Sequence, residues 1–292
     1  MSINKDLFSH IYENCVSIIT NSLDINIKKK KVKLDSAYQT LSETQDHELQ
    51  EFYSIVHELR FYQYMKNLGK HIIAADDNKA GPDFNTELGY IECVCASKGA
   101  TGTLERKCLD ERLNQSMNRY IAALPRLSSV ILDKNKKYES YLRYNKIDEK
   151  KPCIIAINSS IFSNEFNSDL NLDLILKILY GIGCTTMRFN LETNQFLEDA
   201  GCESRLYEDT GLKPPKNIEL QFNYFSEKEF ENISGVILNN NSIGEELKKE
   251  YFCLFLNPFA RCPINVSLLD NIRYFQLSEM NAQHFTYCWH NK

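Results

Sequence analysis

No part of this 292-residue sequence approaches the roughly 18 consecutive apolar positions that a membrane-spanning helix requires, so a helical bilayer crossing is not expected. The first residues lack the form of a secretory leader. Asp6 and Glu13 interrupt their apolar positions and no small-residue cleavage pattern follows, so a cytoplasmic protein beginning near Met1 is expected. Glycine and proline are scarce, at 11 and 7 residues, which excludes collagen-like and linker-dominated architectures. The ten cysteines include no C-x-x-C pair, so the thiol pairs of a zinc ribbon are missing, and neither Cys93/Cys95 nor Cys288/His290 has typical zinc spacing. Cysteines set in apolar segments, such as Cys153 and Cys253, read instead as reduced, buried thiols. A G-x-x-x-x-G-K-[ST] phosphate loop is also lacking.

What is present suits an ordered, enzyme-sized protein: 43% hydrophobic residues, with 16 Tyr and 16 Phe, are ample for a sizeable core. The net charge of -5 argues against nonspecific coating of nucleic acid, but the charge is unevenly spread. Residues 1–97 carry 10 basic and 14 acidic side chains, residues 98–151 carry 13 and 7, and residues 152–292 carry 11 and 18. The middle segment is a basic island of +6 in an acidic chain, which fits either a polyanion-binding surface or a solvated pair of helices.

Periodicity predicts an N-terminal helical accessory element over 1–41, with Phe8, Ile11, Tyr12, Cys15, Ile18 and Ile19 on one stripe. A basic connection follows, Lys28 to Lys31 and Lys33, readable as a solvated loop or helix end or as a phosphate contact. The remainder, 42–292, reads as one α/β domain. Ser42 and Gln45 have capping-box spacing ahead of a helix carrying Leu49, Phe52, Tyr53, Val56 and Leu59, and Gly69 ends it. Alternating segments on either side of Glu87, Leu88 and Gly89 predict a β-hairpin. Helices are expected near 104–120 and 128–144, then a buried strand at Cys153–Asn158 and a helix at Asp169–Tyr180. Residues 183–217 read as an irregular insertion or lid, and further strands are expected at 218–225, at 235–239 and within 251–259.

The chemistry-bearing residues are Glu58, Asp83 and Glu92. If the hairpin turns on Glu87 and Leu88, residues whose numbers sum to 175 face each other and Asp83 lies opposite Glu92; a turn shifted by one residue makes them diagonal neighbours, and either register leaves their Cβ atoms about 4.5 to 8 Å apart on one face. Two carboxylates so placed repel unless a cation lies between them, and a hard cation such as Mg²⁺ prefers a few carboxylate oxygens with water completing its shell. Glu58 lies on the helix line Ile55, Glu58, Tyr62, Met65, where an acid is costly unless it faces a site or solvent.

A helical Glu, then Gly81-Pro82-Asp83-Phe84, then Ile91-Glu92-Cys93-Val94 on a strand resembles the PD-(D/E)XK nuclease superfamily. The resemblance spans roughly 58–160. It implies a restriction-endonuclease-like mixed central sheet flanked by helices. It also implies a Mg²⁺ (or Mn²⁺) site at Asp83 and Glu92 with the Cys93 carbonyl as a further ligand, Glu58 completing the acidic group, and nucleic acid as substrate, DNA ahead of RNA. The family's lysine two residues after the strand acid is replaced by Val94. Related enzymes supply this lysine from following helices, and here Lys134, on the stripe Ile131, Lys134, Tyr138, Tyr141, is the first candidate and Lys98 the second. The alternative is a catalytically inactive module of the same fold that binds nucleic acid or protein. A Cys93 or Cys95 thiol with His57 as base, and a phosphate contact by the Gly99–Thr103 loop, are rival chemistries. Sequence specificity, endonuclease or exonuclease action and oligomeric state are left open.

Overall fold

In a computed structural model the described residues are 5–41, 46–76, 80–96, 116–160, 170–186, 189–190, 195–196, 201–204, 223–241, 247–280 and 285–290. They form a mixed α/β structure. The helices are α1 (Lys5–Asn21), α2 (Ile25–Gln39), α3 (Asp46–Asn67), α4 (Ser116–Arg143) and α5 (Leu170–Tyr180). An eight-stranded sheet is built from β1 (Ile72–Ala74), β2 (Phe84–Thr86), β3 (Gly89–Cys95), β4 (Cys153–Asn158), β9 (Gly235–Asn239), β10 (Phe252–Leu256), β11 (Tyr274–Met280) and β12 (Phe285–His290), in the order β1-β2-β3-β4-β9-β10-β11-β12. The pairs β3–β4, β4–β9 and β10–β11 are parallel and the others antiparallel. By contacts the chain divides into two compact units, residues 1–97, 130–161 and 231–292, which hold this sheet, and residues 98–129 and 162–230.

The central strands β4, β9 and β10 are buried at every position, as their unbroken apolar sequences require when both faces of a sheet are covered. One face carries Ile91, Cys93, Ile154, Ala156, Ile237 and Leu254, packed in one core with Phe8 and Ile11 of α1, Ile27 and Leu34 of α2, and Phe52, Val56 and Leu59 of α3. Thus α1 and α2 share the core of α3. The basic run 28–33 lies inside α2 and is not a connection between helices. Asp24 fixes this helix to the sheet: its carboxylate caps α2 by accepting from the Asn26 and Ile27 amides, and its second oxygen accepts from the Ala74 amide at 2.8 Å.

The α3 C-terminus closes at Gly69, whose φ of 72° glycine adopts at no steric cost, and the Lys70 amide returns to the Met65 carbonyl. Ser42 and the loop and helix expected over 98–115 lie outside the described residues. A single helix, α4, contains Pro125 and runs unbroken from the last residues of the helix expected near 104–120 through nearly all of the one expected near 128–144.

In the second unit, α5 ends at Gly181, with φ of 66°, and the antiparallel pairs are β5 (Ile182–Thr186) with β8 (Gly201–Ser204), and β6 (Phe189–Asn190) with β7 (Gln195–Phe196). The described part of the insertion expected at 183–217 is therefore strand-paired; its other residues lie outside the described set. The strand expected at 218–225 is replaced at its described end by a 3₁₀ turn, Tyr224–Ser226, with Tyr224 stacked on Phe230 at 4.3 Å.

Candidate functional site

The hairpin β2–β3 pairs Thr86 with Gly89, Asn85 with Tyr90 and Phe84 with Ile91, the register set by a turn on Glu87 and Leu88. Beyond Phe84 the ladder stops, for a chemical reason. The next bonded partner of Cys93 would be Pro82, which has no N–H to give the Cys93 carbonyl. The Cys93 amide donates to Asp83 Oδ2 at 2.7 Å. The Asp83 carboxylate is thus turned onto the free edge of β3, where sequence spacing had set it on the face of Glu92. Amide and carbonyl of one strand residue leave on the same edge, so the Cys93 carbonyl emerges beside Asp83. The Asp83 carbonyl accepts from the Ala75 amide at 2.9 Å, which ties the acid's backbone to the end of β1.

Glu92 lies on the strand face opposite Ile91 and Cys93 and is fully buried. Its partners come from α4. Lys134 Nζ and Lys137 Nζ lie 2.7 and 2.8 Å from Oε2. The Tyr141 hydroxyl lies 2.8 Å from Oε1 and 2.7 Å from the Gly81 carbonyl, and its one proton serves one of them at a time. A carboxylate offers about four lone-pair directions, so these three donors leave Oε1 room for one more partner. Tyr138 docks the same helix: its hydroxyl lies 2.7 Å from the Ile154 carbonyl and 3.1 Å from that of Tyr90. Lys134 therefore meets the strand acid. Lys98 lies outside the described residues.

Glu58 reaches the site from α3. Its Oε2 accepts from Lys30 Nζ of α2 at 2.7 Å, and Lys30 is buried within the stripe Ile27, Lys30, Leu34, Ala37. Glu58 and Asp83 line one cleft of about 540 Å³, together with Lys30, Lys33, Lys137 and Tyr141. Burial, followed by the Glu58 and Glu92 carboxylates, pushes the Asp83 carboxyl up to about 7, with Lys134 and the Cys93 amide opposing. Burial pulls the Lys137 ammonium down, but Glu92 outweighs it and the net shift is upward. The three acids thus come together around the open edge of β3, from the α3 side, the edge itself and the α4 side.

Asp83, Glu92 and the Cys93 carbonyl form a set of hard oxygen donors, the kind that suits Mg²⁺ or Mn²⁺. Among the described residues no group of three or more His, Cys, Asp or Glu side chains is spaced to hold a metal ion. The ligands that the motif implies here are two carboxylates and a main-chain oxygen, which would leave the rest of a metal's shell to water. The thiol rival fares poorly. Burial raises the Cys93 and Cys95 thiols, Cys95 Sγ donates to the Tyr53 carbonyl at 3.2 Å, and burial lowers His57 to about 4. Cys15, Cys93, Cys95, Cys153, Cys253 and Cys262 are free thiols, all buried except the half-buried Cys262.

Sequence reasoning missed Lys30, Lys137 and Tyr141. Lys137 and Tyr141 follow Lys134 at three and seven positions, which sets all three on one face of a helix, a signal present in the sequence. Lys30 carried no such signal, because its partner is 28 residues away. No helix among the described residues is long and apolar enough to cross a membrane. In comparisons with protein-family models, curated proteins and solved structures, the chain has no significant match.

Proposed function

We propose that this chain is a metal-dependent nuclease with a restriction-endonuclease-like core, hydrolysing phosphodiester bonds in nucleic acid, with DNA as the first substrate to test. The supporting observation is the meeting of Asp83, Glu92 and Glu58 at the open edge of β3 with the ammonium groups of Lys134 and Lys137 beside them. The order α3, hairpin β2–β3, α4, β4 keeps the helix, hairpin, helix, strand succession on which the resemblance rests. Asp83, Glu92 and the Cys93 carbonyl would hold Mg²⁺ or Mn²⁺, which supplies charge neutralisation at the phosphate and a more acidic water. Lys134, mostly buried against Glu92, fixes that carboxylate and offers positive charge to the phosphoryl oxygens. Lys137, more exposed and lining the cleft, meets the substrate phosphate. Val94 leaves this work to α4.

The test is cleavage of single-stranded DNA, duplex DNA and RNA by metal-stripped protein with Mg²⁺ or Mn²⁺ added back. Cleavage only with metal, lost in Asp83→Asn and Glu92→Gln while circular dichroism shows both variants folded, is the expected result. A second reading, a binding module without catalysis, is favoured by Val94 and by the three donors already on Glu92. Binding of an oligonucleotide without cleavage, across several metals and pH values, would establish it in place of the nuclease.

A further inference from the structure

We propose that the outer face of α4 around Ser140 binds a single strand of nucleic acid, with Tyr144 stacking on a base and Lys136 and Arg143 meeting phosphates. The inference deepens the reading of a nucleic-acid ligand and rests on it. It concerns the basic island of the sequence, whose residues 130–151 carry 7 basic and 4 acidic side chains.

On a helix the neighbours of one position are those three and four residues away, so Ser140 is surrounded by Lys136, Lys137, Arg143 and Tyr144. The Tyr144 amide donates to the Ser140 carbonyl at 3.1 Å, which holds Tyr144 on the helical path. The chain then turns away sharply. Asn145 has φ of 52°, its amide returns to the Leu142 carbonyl at 3.1 Å, and the Lys146 amide returns to the Tyr141 carbonyl at 2.8 Å. This cap fixes the backbone of Tyr144, yet the residue is 65% exposed, and among the described residues its ring has no aromatic partner and its hydroxyl no hydrogen bond. Lys136, Arg143 and Lys146 are exposed as well and pair with no described carboxylate. The dipole of the helix end favours cations at Arg143 and Lys146 without any ligand. It calls neither for Lys136, two turns earlier, nor for an unpacked aromatic ring beside the cations.

Charge and shape narrow the ligand. Over 133–146 five cations meet two acids, Asp133 and Glu139, and the stretch stays positive when Glu92, the partner of Lys134 and Lys137, is counted. It attracts an anion with no metal bound. An acidic peptide would use the cations and leave the ring idle, and a duplex hides its base faces in its own stack, whereas a single strand offers phosphates and open bases together. Lys137, two helical turns or about 10 Å before Tyr144, reaches Glu92 at 2.8 Å, so the surface runs up to the acids of the proposed site.

The test measures, by fluorescence anisotropy, binding of a labelled twelve-residue thymidine oligonucleotide to the full chain in EDTA, between about 50 and 200 mM salt. Without metal, binding is read apart from cleavage. The wild type should bind, Tyr144→Ala should bind about tenfold more weakly, and Tyr144→Phe should match the wild type. An abasic strand of the same length and charge should bind wild type and Tyr144→Ala alike. Lys136→Gln and Arg143→Gln should each lower the salt slope by about 0.7, and Tyr144→Ala should leave it unchanged. All three residues are exposed, and circular dichroism checks that the variants are folded. No binding by the wild type at about 50 mM salt, undiminished binding by Tyr144→Ala, or tighter binding of a twelve-pair duplex or of a glutamate peptide of equal charge would overturn the inference. Cleavage with Mg²⁺ is assayed separately. If it occurs beside any of those outcomes the nuclease reading stands without this surface, and if Tyr144-dependent binding occurs without cleavage the surface stands without the nuclease.

Discussion

Replacing Asp83 by Asn isolates the electrostatic tension of the site, because the amide keeps an oxygen for the Cys93 N–H while losing the charge and the titration. An aspartate in an unfolded chain titrates near 4, whereas burial and the Glu58 and Glu92 carboxylates raise Asp83 to about 7 in the folded, metal-free protein. Between these values the folded state binds the proton more tightly than the unfolded state. Its stability contribution is therefore fully present below about pH 4 and is lost as pH rises through about 7. About three pH decades at roughly 1.4 kcal/mol each give an upper bound near 4 kcal/mol, and screening at a half-buried carboxylate brings the expectation to about 2–3 kcal/mol.

Urea unfolding of metal-stripped wild type and Asp83→Asn, at pH 5 and pH 8.5, measures this. The variant should gain about 1.5–2 kcal/mol relative to wild type between the two pH values, because about two of the three decades lie above pH 5. Mn²⁺ should raise the wild-type midpoint at pH 8.5 more than at pH 5, because the cation and the proton compete for one carboxylate, and should do little for the variant. A stability difference between wild type and variant that stays constant across pH would refute the argument that Asp83 is held against its acidic neighbours.

Three further outcomes follow from the packing around the site. Gly89 has φ of 136° and a Cβ there would lie 2.3 Å from the Pro152 carbonyl oxygen, so Gly89→Ala should cost about 3 kcal/mol or more, read by thermal unfolding. Tyr138→Phe removes the hydroxyl beside the Ile154 and Tyr90 carbonyls and should cost about 1–2 kcal/mol in urea unfolding. If the protein cleaves nucleic acid, Lys134→Ala should lower kcat by about 100-fold with little change in KM, and Lys137→Ala should raise KM more than it lowers kcat; single-turnover and steady-state assays separate the two, and the reverse pattern would exchange the roles of these lysines.

The arrangement of Glu92 also sets α4 beside the strand position of the motif lysine. Val94 follows the acid on the same strand face and carries no charge, yet two ammonium groups reach Glu92 Oε2 from the helix above it. Tyr138, bonded to main-chain carbonyls of β3 and β4, fixes the height and rotation of that helix, so the lysines are aimed by packing. Positions 134, 137 and 141 lie on one face of the helix, which under the nuclease reading would cover the departure at Val94.

By itself the sequence determined what depends on neighbours along the chain. Alternation on either side of Glu87 and Leu88 specified the hairpin but left two registers open; the one that forms pairs Phe84 with Ile91, both buried. The unbroken apolar run Cys153–Asn158 specified a strand buried on both faces, and the three- and four-residue spacing around Val56 specified the helix bearing Glu58. Tertiary structure decided what depends on distant partners. A run of lysines reads as solvated until Glu58 from another helix meets Lys30, and a charge is buried only where such a partner is supplied. Asp83 turned from the face of Glu92 to the strand edge, where its carboxylate accepts from the Cys93 amide and Pro82 has no N–H with which to continue the ladder. The three donors on Glu92, likewise, exist only where α4 lies across β3, a placement fixed by contacts between elements some 45 residues apart in the chain and not by any local pattern.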